Sequence, residues 1–517
     1  MLTALEHGAH ERQIGLGSSV QREWRTVDAI GTRPRGWRHA AKVVKTVLLV
    51  KYFVTQSYRE PDIRLESPTL TDYLPSPSSP NPRPMRESSV RIAELHRHAG
   101  TVVTVRGWVT HLRSSGKVAF VVARDGSGTL QAVLVKSQVP AESWEAFATL
   151  TQETSVALTG EVRADARSPG GFVMGVQTLV VIGASPTDYP IQPKEHGVDF
   201  LLDNRHFWLR TPRQAAILRV RSELEQAVHD FFYARDFVRC DSPILTAAIG
   251  ERAGLFGTEY FDEGIAYLAQ TGQLYGEAMA ASLGQIYTFG PTFRAEKSKT
   301  RRHLTEFWMI EPEMAWYDQD DNMDLQESFV RYLVERVLER RQEELKVLER
   351  DTSKLDCVSQ PFVRLDYGDA VLLAQSKGSD VKWGEDLGAP DEAIIVDHHE
   401  RPVFVVNYPK EAKAFYMKEN PADPRTVRCA DLLAPEGRGE IIGGSQREDD
   451  YDKILHRLTE EGLPVDAYGW YLDLRKYGTF THSGFGLGLE RTIAWICGIE
   501  HIREVIPFPR MMGRLRP

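Results

Sequence analysis

Two proline-rich breaks divide this chain, and no single hydrophobic core can run across them. The first is Pro75-Ser-Pro-Ser-Ser-Pro-Asn-Pro-Arg-Pro84. Its five prolines remove backbone donors and its serines compete for what remains, so it reads as an extended linker. The second is Ser185-Pro-Thr-Asp-Tyr-Pro-Ile-Gln-Pro193. A chain of 517 residues is in any case too long for one ordinary core, and two or three domains are expected.

The three pieces differ in texture. Residues 1–86 carry thirteen Lys/Arg against eight Asp/Glu, whereas the whole chain has a net charge of −9. They show no sustained periodicity, and Met85 follows the proline tract directly. An extension that is disordered or lies before the true start is favoured over an RNA-binding arm built on Lys42, Lys45 and Lys51. Residues 87–184 read as all-β. Runs such as Val102-Val-Thr-Val-Arg-Gly-Trp-Val109 and Val118-Ala-Phe-Val-Val122 are broken by turn signals at Ser115-Gly116 and Asp125-Gly126, which suggests a small barrel of the OB type. Residues 185–200 form the linker, and 201–517 mix helices with apolar strands. Helical spacing covers Ala215–Phe232, a long charged helix is expected over Leu325–Leu348, and strands over Ile286–Phe289, Val403–Val406 and Ile441–Ile442. No βα alternation is present, so the fold class is α+β with a mainly antiparallel sheet flanked by helices.

Composition excludes several classes. A net charge of −9 argues against a generally basic nucleic-acid binder but not against one basic groove. Cys240, Cys357, Cys429 and Cys497 form no CxxC pair, which fits reduced thiols better than a disulfide framework or a zinc site. No apolar run approaches the roughly 20 residues that span a bilayer, and the first residues lack a secretory pattern. A cytoplasmic protein without a membrane partner is expected. The GxxxxGK[ST], GxGxxG and HExxH signatures are all missing.

Two segments carry chemistry. Gly484-Phe-Gly-Leu-Gly488 leads into Glu490-Arg491: backbone can approach a ligand at a glycine-rich strand-to-helix turn, and a guanidinium can hold phosphate oxygens. In Phe289-Gly-Pro-Thr-Phe-Arg-Ala-Glu296, Arg294 and Glu296 are expected two apart on one strand face. A Lys/Arg-rich turn with Arg302-His303 follows, then Glu306-Phe307. Arg294 would clamp a phosphate and Phe307 would stack on a base. Taken singly, the first segment also fits a tight turn and the second a surface hairpin with a core Phe.

Together these segments resemble the class II aminoacyl-tRNA synthetases. Pro243, in Val238-Arg-Cys-Asp-Ser-Pro-Ile244, looks like the end of the family's first motif, a dimer-interface helix and strand. Phe293-Arg-Ala-Glu296 resembles the second motif and Gly486-Leu-Gly-Leu-Glu-Arg491 the third. The resemblance implies ATP as substrate, with Arg294 and Arg491 on its phosphates, Glu296 reading the adenine or the acyl-acceptor side, His303 beside the nucleotide and Phe307 on adenine. It makes Arg294, Glu296 and Arg491 the catalytic set. No covalent nucleophile is needed: cations and Mg²⁺ stabilise in-line displacement at the α-phosphate, and positioning supplies the rest. Over residues 88–517 the likeness narrows to the aspartate/asparagine/lysine subgroup. There Gly439-Glu-Ile-Ile-Gly-Gly-Ser-Gln-Arg447 looks like the metal and substrate segment, with Glu440 on Mg²⁺ and Arg447 on the amino-acid side chain.

The choice of amino acid rests on Gln270-Thr-Gly-Gln-Leu-Tyr-Gly-Glu-Ala278. Aspartate enzymes of the subgroup place a Lys three residues after the Gln, to pair with the substrate carboxylate. Here Gly276 stands there and Glu277 follows. A missing cation and an added carboxylate repel aspartate, while Glu277 would accept from a carboxamide NH₂ and Arg447 would donate to its oxygen. By the same resemblance Gln273 and Glu311 hold the substrate ammonium, and Glu251 is a further, weaker candidate. Asn407-Tyr-Pro-Lys410, Ala414-Phe-Tyr-Met-Lys418 and Ile506-Pro-Phe-Pro-Arg510 also resemble asparagine-specific members. In the barrel, Phe120 would stack on the central anticodon uridine, Gln131 would read its edge and Arg113 would meet phosphate.

The expectation is a homodimer that joins asparagine to tRNA(Asn) through an asparaginyl-adenylate. The rivals are a non-discriminating aspartyl enzyme, opposed by Gly276 and Glu277, and an asparagine synthetase derived from the same domain, opposed by the barrel. A non-catalytic RNA-binding module is opposed by Arg294, Glu440 and Arg491.

Overall fold

The computed structural model describes residues 89–247, 254–298 and 300–517. The segment around Lys42, Lys45 and Lys51 and the candidate Glu251 lie outside them.

Alternation of apolar and polar residues builds the first body. β1 (Val102–Ser115), β2 (Val118–Arg124), β3 (Thr129–Val135), β4 (Ser155–Ala164) and β5 (Phe172–Gly183) close a barrel in the order β1-β2-β3-β5-β4. In β2 and β3 every second residue is buried, so Ala119, Val121, Leu130, Ala132 and Leu134 fill the interior. Phe120 and Gln131 have the opposite parity and stand on the outer face. The helix α1 (Ala141–Ala148) packs on β5. After it, Glu153 accepts from Arg124 of β2 at 2.6 Å and from Arg210 at 2.9 Å, joining the barrel to the start of the second body.

The second body has an eight-stranded sheet in the order β12-β13-β14-β15-β16-β11-β10-β6. Its strands are β6 (Val238–Cys240), β10 (Gln285–Phe293), β11 (Glu306–Ala315), β12 (Val363–Asp366), β13 (Val403–Val406), β14 (Cys429–Ala434), β15 (Gly439–Gln446) and β16 (His482–Gly488). Within this sheet, only β6–β10 and β12–β13 pair in parallel. β7 (Leu245–Thr246), β8 (Gly257–Glu259) and β9 (Ile265–Leu268) make a small separate sheet.

One sheet face is covered by α2 (Pro212–Tyr233), which begins with Thr211 accepting from the Gln214 amide and Pro at its first position. Ile217, Val220, Leu224, Val228 and Phe231 recur at helical spacing. They join Phe329, Leu333 and Val337 of α4 (Gln319–Arg340) in one core with Trp495. The long helix expected over Leu325–Leu348 is two. It breaks at Arg341, whose guanidinium is drawn to Glu223 of α2, and resumes as α5 (Gln342–Val347). A short helix, Val198–Asp203, begins within the expected linker.

The opposite face carries α3 (Gln273–Leu283), α6 (Tyr367–Ser376), α7 (Ala389–His399), α8 (Tyr451–Glu460) and α9 (Gly469–Lys476) at its margins, and α10 (Leu489–Cys497) leaves directly from β16. The glycines of Gly484–Gly488 belong to β16 itself and not to a turn. Their role is clearance: a Cβ on Gly484 would fall 2.2 Å from Glu313 Oε1, and one on Gly486 2.3 Å from the Met309 methyl.

Candidate active site

β11 acts as a ruler along the site. Phe307, Met309, Glu311 and Glu313 share one strand face at two-residue steps of roughly 7 Å, while Ile310 points into the core. Above them opens a polar cleft of about 340 Å³, a volume suited to a small ligand. Its walls include Gln273, Arg294, Glu296, His303, Phe307, Glu311, Glu440, Arg447 and Arg491. The fold thus converges these candidates from β11, β15, α3, α10 and the loop after β10.

At one end of the ruler sit the cations. Arg294 and Glu296 are not on a strand, because β10 ends at Phe293. From there the backbone turns away: the Ala295 amide donates to the Gly254 carbonyl at 2.8 Å. The Arg294 guanidinium lies 5.5 Å from the Phe307 ring centre, within the range of a cation–π contact. His303 Nε2 is 3.4 Å from Glu296, and burial, then Arg491, keeps this imidazole below its usual pKa. Arg491, in the first turn of α10, donates from Nη1 to the Glu440 carbonyl at 2.8 Å and lies 3.4 Å from its carboxylate. Burial opposes charge on Glu440, but Arg491, Lys413 and Arg294 outweigh it and hold the carboxyl below the usual range.

Sequence reading missed Asp431 and Lys413. Asp431, on β14, pairs with Lys413, whose ammonium stands 3.8 Å above the Tyr408 ring. Burial first raises the Asp431 carboxyl to about 6. Asp431 and Glu440 converge over Gly443, where a Cβ would meet Glu440 Oε1 at 2.8 Å and Asp431 Oδ1 at 3.7 Å.

At the other end, Glu311 accepts from the Gly272 amide at 2.8 Å and from the Thr271 hydroxyl. Arg447 is 2% exposed and grips Glu313 through both Nε and Nη2, with Ser445 Oγ accepting from Nη1 at 2.8 Å. Glu313 was also missed, although its step of two from Glu311 puts it on the same face. Burial pushes its carboxyl above the usual range, with Glu277 and Glu311 adding to the rise, while the paired Arg447 guanidinium pulls the other way. Gly276 lies beside it, and a Cβ there would come within 3.0 Å of Glu313 Cγ.

Among the pocket candidates that lie in the described residues, Glu277 is the one that does not line the cleft. It is fully buried behind the wall, and Tyr471, Arg475, His482 and Gln273 already donate to it. The direct contact with a carboxamide NH₂ expected from sequence is therefore corrected: the acid one α-turn beyond Gln273 faces inward, and Glu313 is the carboxylate beside Arg447. The remaining candidates cluster on the barrel. Arg113 sits 4.2 Å over the Phe120 ring and 3.4 Å from Gln131 Oε1 on the outer face of β1–β3.

Residues 197–512 match the family described as tRNA synthetases class II (D, K and N), and residues 103–182 match the OB-fold nucleic acid binding domain. The asparagine–tRNA ligase of Desulforamulus reducens is 55% identical over 427 residues, covering 82% of this chain and 99% of that protein. That of Symbiobacterium thermophilum is 53% identical over 83% of this chain and 99% of its own. Among solved structures, asparaginyl-tRNA synthetase from Pyrococcus horikoshii complexed with asparaginyl-adenylate superposes with a TM-score of 0.81 at 46% identity, covering 83% of this chain and all of that one. The chain belongs to the class II aminoacyl-tRNA synthetases and, within them, to the asparagine–tRNA ligase family.

Proposed function

We propose that the protein activates asparagine with ATP and transfers it to tRNA(Asn). The observation that carries the amino-acid choice is the end of the cleft at Gly276. Among the described residues, Arg447 is the cation that lines the cleft at this end, and it is already paired with Glu313. A carboxamide is neutral and two-faced: it accepts from Arg447 and donates to Glu313. Aspartate would set a second carboxylate against Glu313 for one guanidinium, and a like-charge clash of this kind costs several kcal/mol. Gln273 and Glu311 take the substrate ammonium.

In the first step a carboxylate oxygen of asparagine attacks the α-phosphorus and pyrophosphate leaves. Arg294 and Arg491 hold the phosphate oxygens, Phe307 carries the adenine, and His303 and Glu296 border the triphosphate. In the second step a ribose hydroxyl at the tRNA end attacks the activated carbonyl and AMP leaves. Mg²⁺ fits the oxygen-only pair Glu440 and Asp431 above Gly443, and when bound it offsets phosphate charge. Lys413 pairs with Asp431 beside this site.

Phe120, Gln131 and Arg113 form the anticodon reader, a stacking face with an amide and a cation beside it. Removing one base-stacking aromatic costs about 1–3 kcal/mol. Phe120→Ala should therefore raise KM for tRNA(Asn) by about 10–100-fold, with the loss confined to the tRNA-dependent step. Aminoacylation assayed beside tRNA-free pyrophosphate exchange checks this. The homodimer is assigned to the edge made by α2 and β6, where Tyr233 is 82% and Val238 42% exposed. No helix among the described residues is long and apolar enough to cross a membrane, and the expected place of work is the cytoplasm with its tRNA and ATP.

The deciding experiment is exchange of labelled pyrophosphate into ATP with asparagine or aspartate and no tRNA. Asparagine-dependent exchange is expected; exchange driven by aspartate would move the protein to the aspartyl reading with the same ATP site.

A further inference from the structure

Behind the amino-acid end lies a buried polar cluster that no step above uses. At its centre Glu277, 0% exposed, accepts from the Tyr471 hydroxyl at 2.8 Å, Arg475 Nη2 at 2.5 Å, His482 Nε2 at 3.0 Å and Gln273 Nε2 at 3.1 Å. Arg447 Nε stands 3.9 Å away. Burial works against this charge, but Arg475, His482 and Arg447 hold the carboxyl well below the usual range.

Two of its partners grip the backbone on either side of the Arg447 peptide. The His482 carbonyl accepts from the Arg447 amide at 2.9 Å, and Arg475 Nε donates to the Glu448 carbonyl at 2.9 Å. Tyr471 Oη lies 3.0 Å from Arg475 Nη2 and shares the same carboxylate. A third partner, Gln273, projects from α3 into the cleft. Neither Glu277 nor Tyr471, Arg475 or His482 lines that cleft. One carboxylate thus ties together the supports of two cleft residues that arrive from α3 and the end of β15.

We propose that Glu277 is a positioning residue for asparagine: through His482 and Arg475 it fixes the Arg447 segment, and through Gln273 it fixes the ammonium site, without touching the substrate. The inference rests on the function proposed above. A satisfied buried network acts as a unit, so weakening its centre displaces every arm. Displacement by a fraction of an ångström is enough to loosen a two-point grip on a carboxamide.

The test is steady-state pyrophosphate exchange on three variants of the full chain, Glu277→Gln, His482→Gln and Tyr471→Phe, each first checked for wild-type thermal unfolding. KM for asparagine is expected to rise about tenfold or more in Glu277→Gln, with a smaller rise in His482→Gln and the least in Tyr471→Phe, while KM for ATP stays within about twofold. Should Glu277→Gln fail to fold, the two milder variants decide. An unchanged KM for asparagine in folded variants overturns the proposal. So does a parallel rise for asparagine and ATP, which is what general loosening produces. Absence of asparagine-dependent exchange in the wild type would instead sink the functional reading.

Discussion

Replacing Arg491 by alanine is expected to lower kcat for asparagine-dependent pyrophosphate exchange by about 10²–10³-fold, the usual loss when one preorganised donor to a developing oxyanion is removed. Arg491 leaves α10 where the helix begins, and its guanidinium bridges the Glu440 carbonyl and carboxylate. It is the cation that most lowers Glu440, so its loss also leaves that carboxylate less ready to hold a metal ion. Arg491→Lys should recover little, since a point charge cannot meet a carbonyl and a phosphate from one plane. The side chain is 29% exposed, and its removal opens no core cavity. Unchanged thermal unfolding alongside the kinetic loss is the signature; a loss that tracks destabilisation would refute the assignment to phosphate.

The second large effect falls on stability. Arg447→Met strips the guanidinium from between Glu313 and Glu277, both 0% exposed. Breaking a buried ion pair from one side costs about 3–5 kcal/mol because a carboxylate is left without its partner. Denaturant unfolding should show that fall, and asparagine-dependent exchange should vanish with it. Arg447→Met with Glu313→Gln removes both partners and should regain most of the stability but none of the activity. If the double variant is no more stable than the single one, Glu313 is not the group left stranded.

What the sequence disclosed and what it hid follow from how far each interaction reaches along the chain. Arg294, Phe307, Glu440 and Arg491 meet in one cleft, and residue type and local order were enough to single them out as candidates. The barrel strands are legible because a two-residue period survives in Val118–Val122 without any knowledge of partners. The placement of Arg294 and Glu296 on a strand went wrong where a loop carbonyl, that of Gly254, claimed the next amide. Glu313 was hidden by Pro312 beside it, which weakens a strand reading, although Pro312 is in fact paired within β11 opposite Tyr287. Glu277 was misjudged for a different reason. Its partners Tyr471, Arg475 and His482 lie 194, 198 and 205 residues further on, and no local pattern distinguishes an acid that faces a pocket from one that faces those three. The two-residue step from Glu311 to Glu313 was the one local signal left unread.

Gly276 also constrains how such a protein can change. A lysine there would need its Cβ 3.0 Å from Glu313 Cγ and 3.5 Å from the Ile286 methyl, while the Glu313 carboxylate already lies against Gly484. Glu313 has nowhere to retreat, so Gly276→Lys alone is expected to cost about 1–3 kcal/mol through overpacking. The cost should shrink once Glu313 is shortened to alanine, and comparing the two single variants with the double measures that dependence. Drift from asparagine toward aspartate then has an order built into it: the neighbour must yield first, and the step that would supply the new cation is closed until it does.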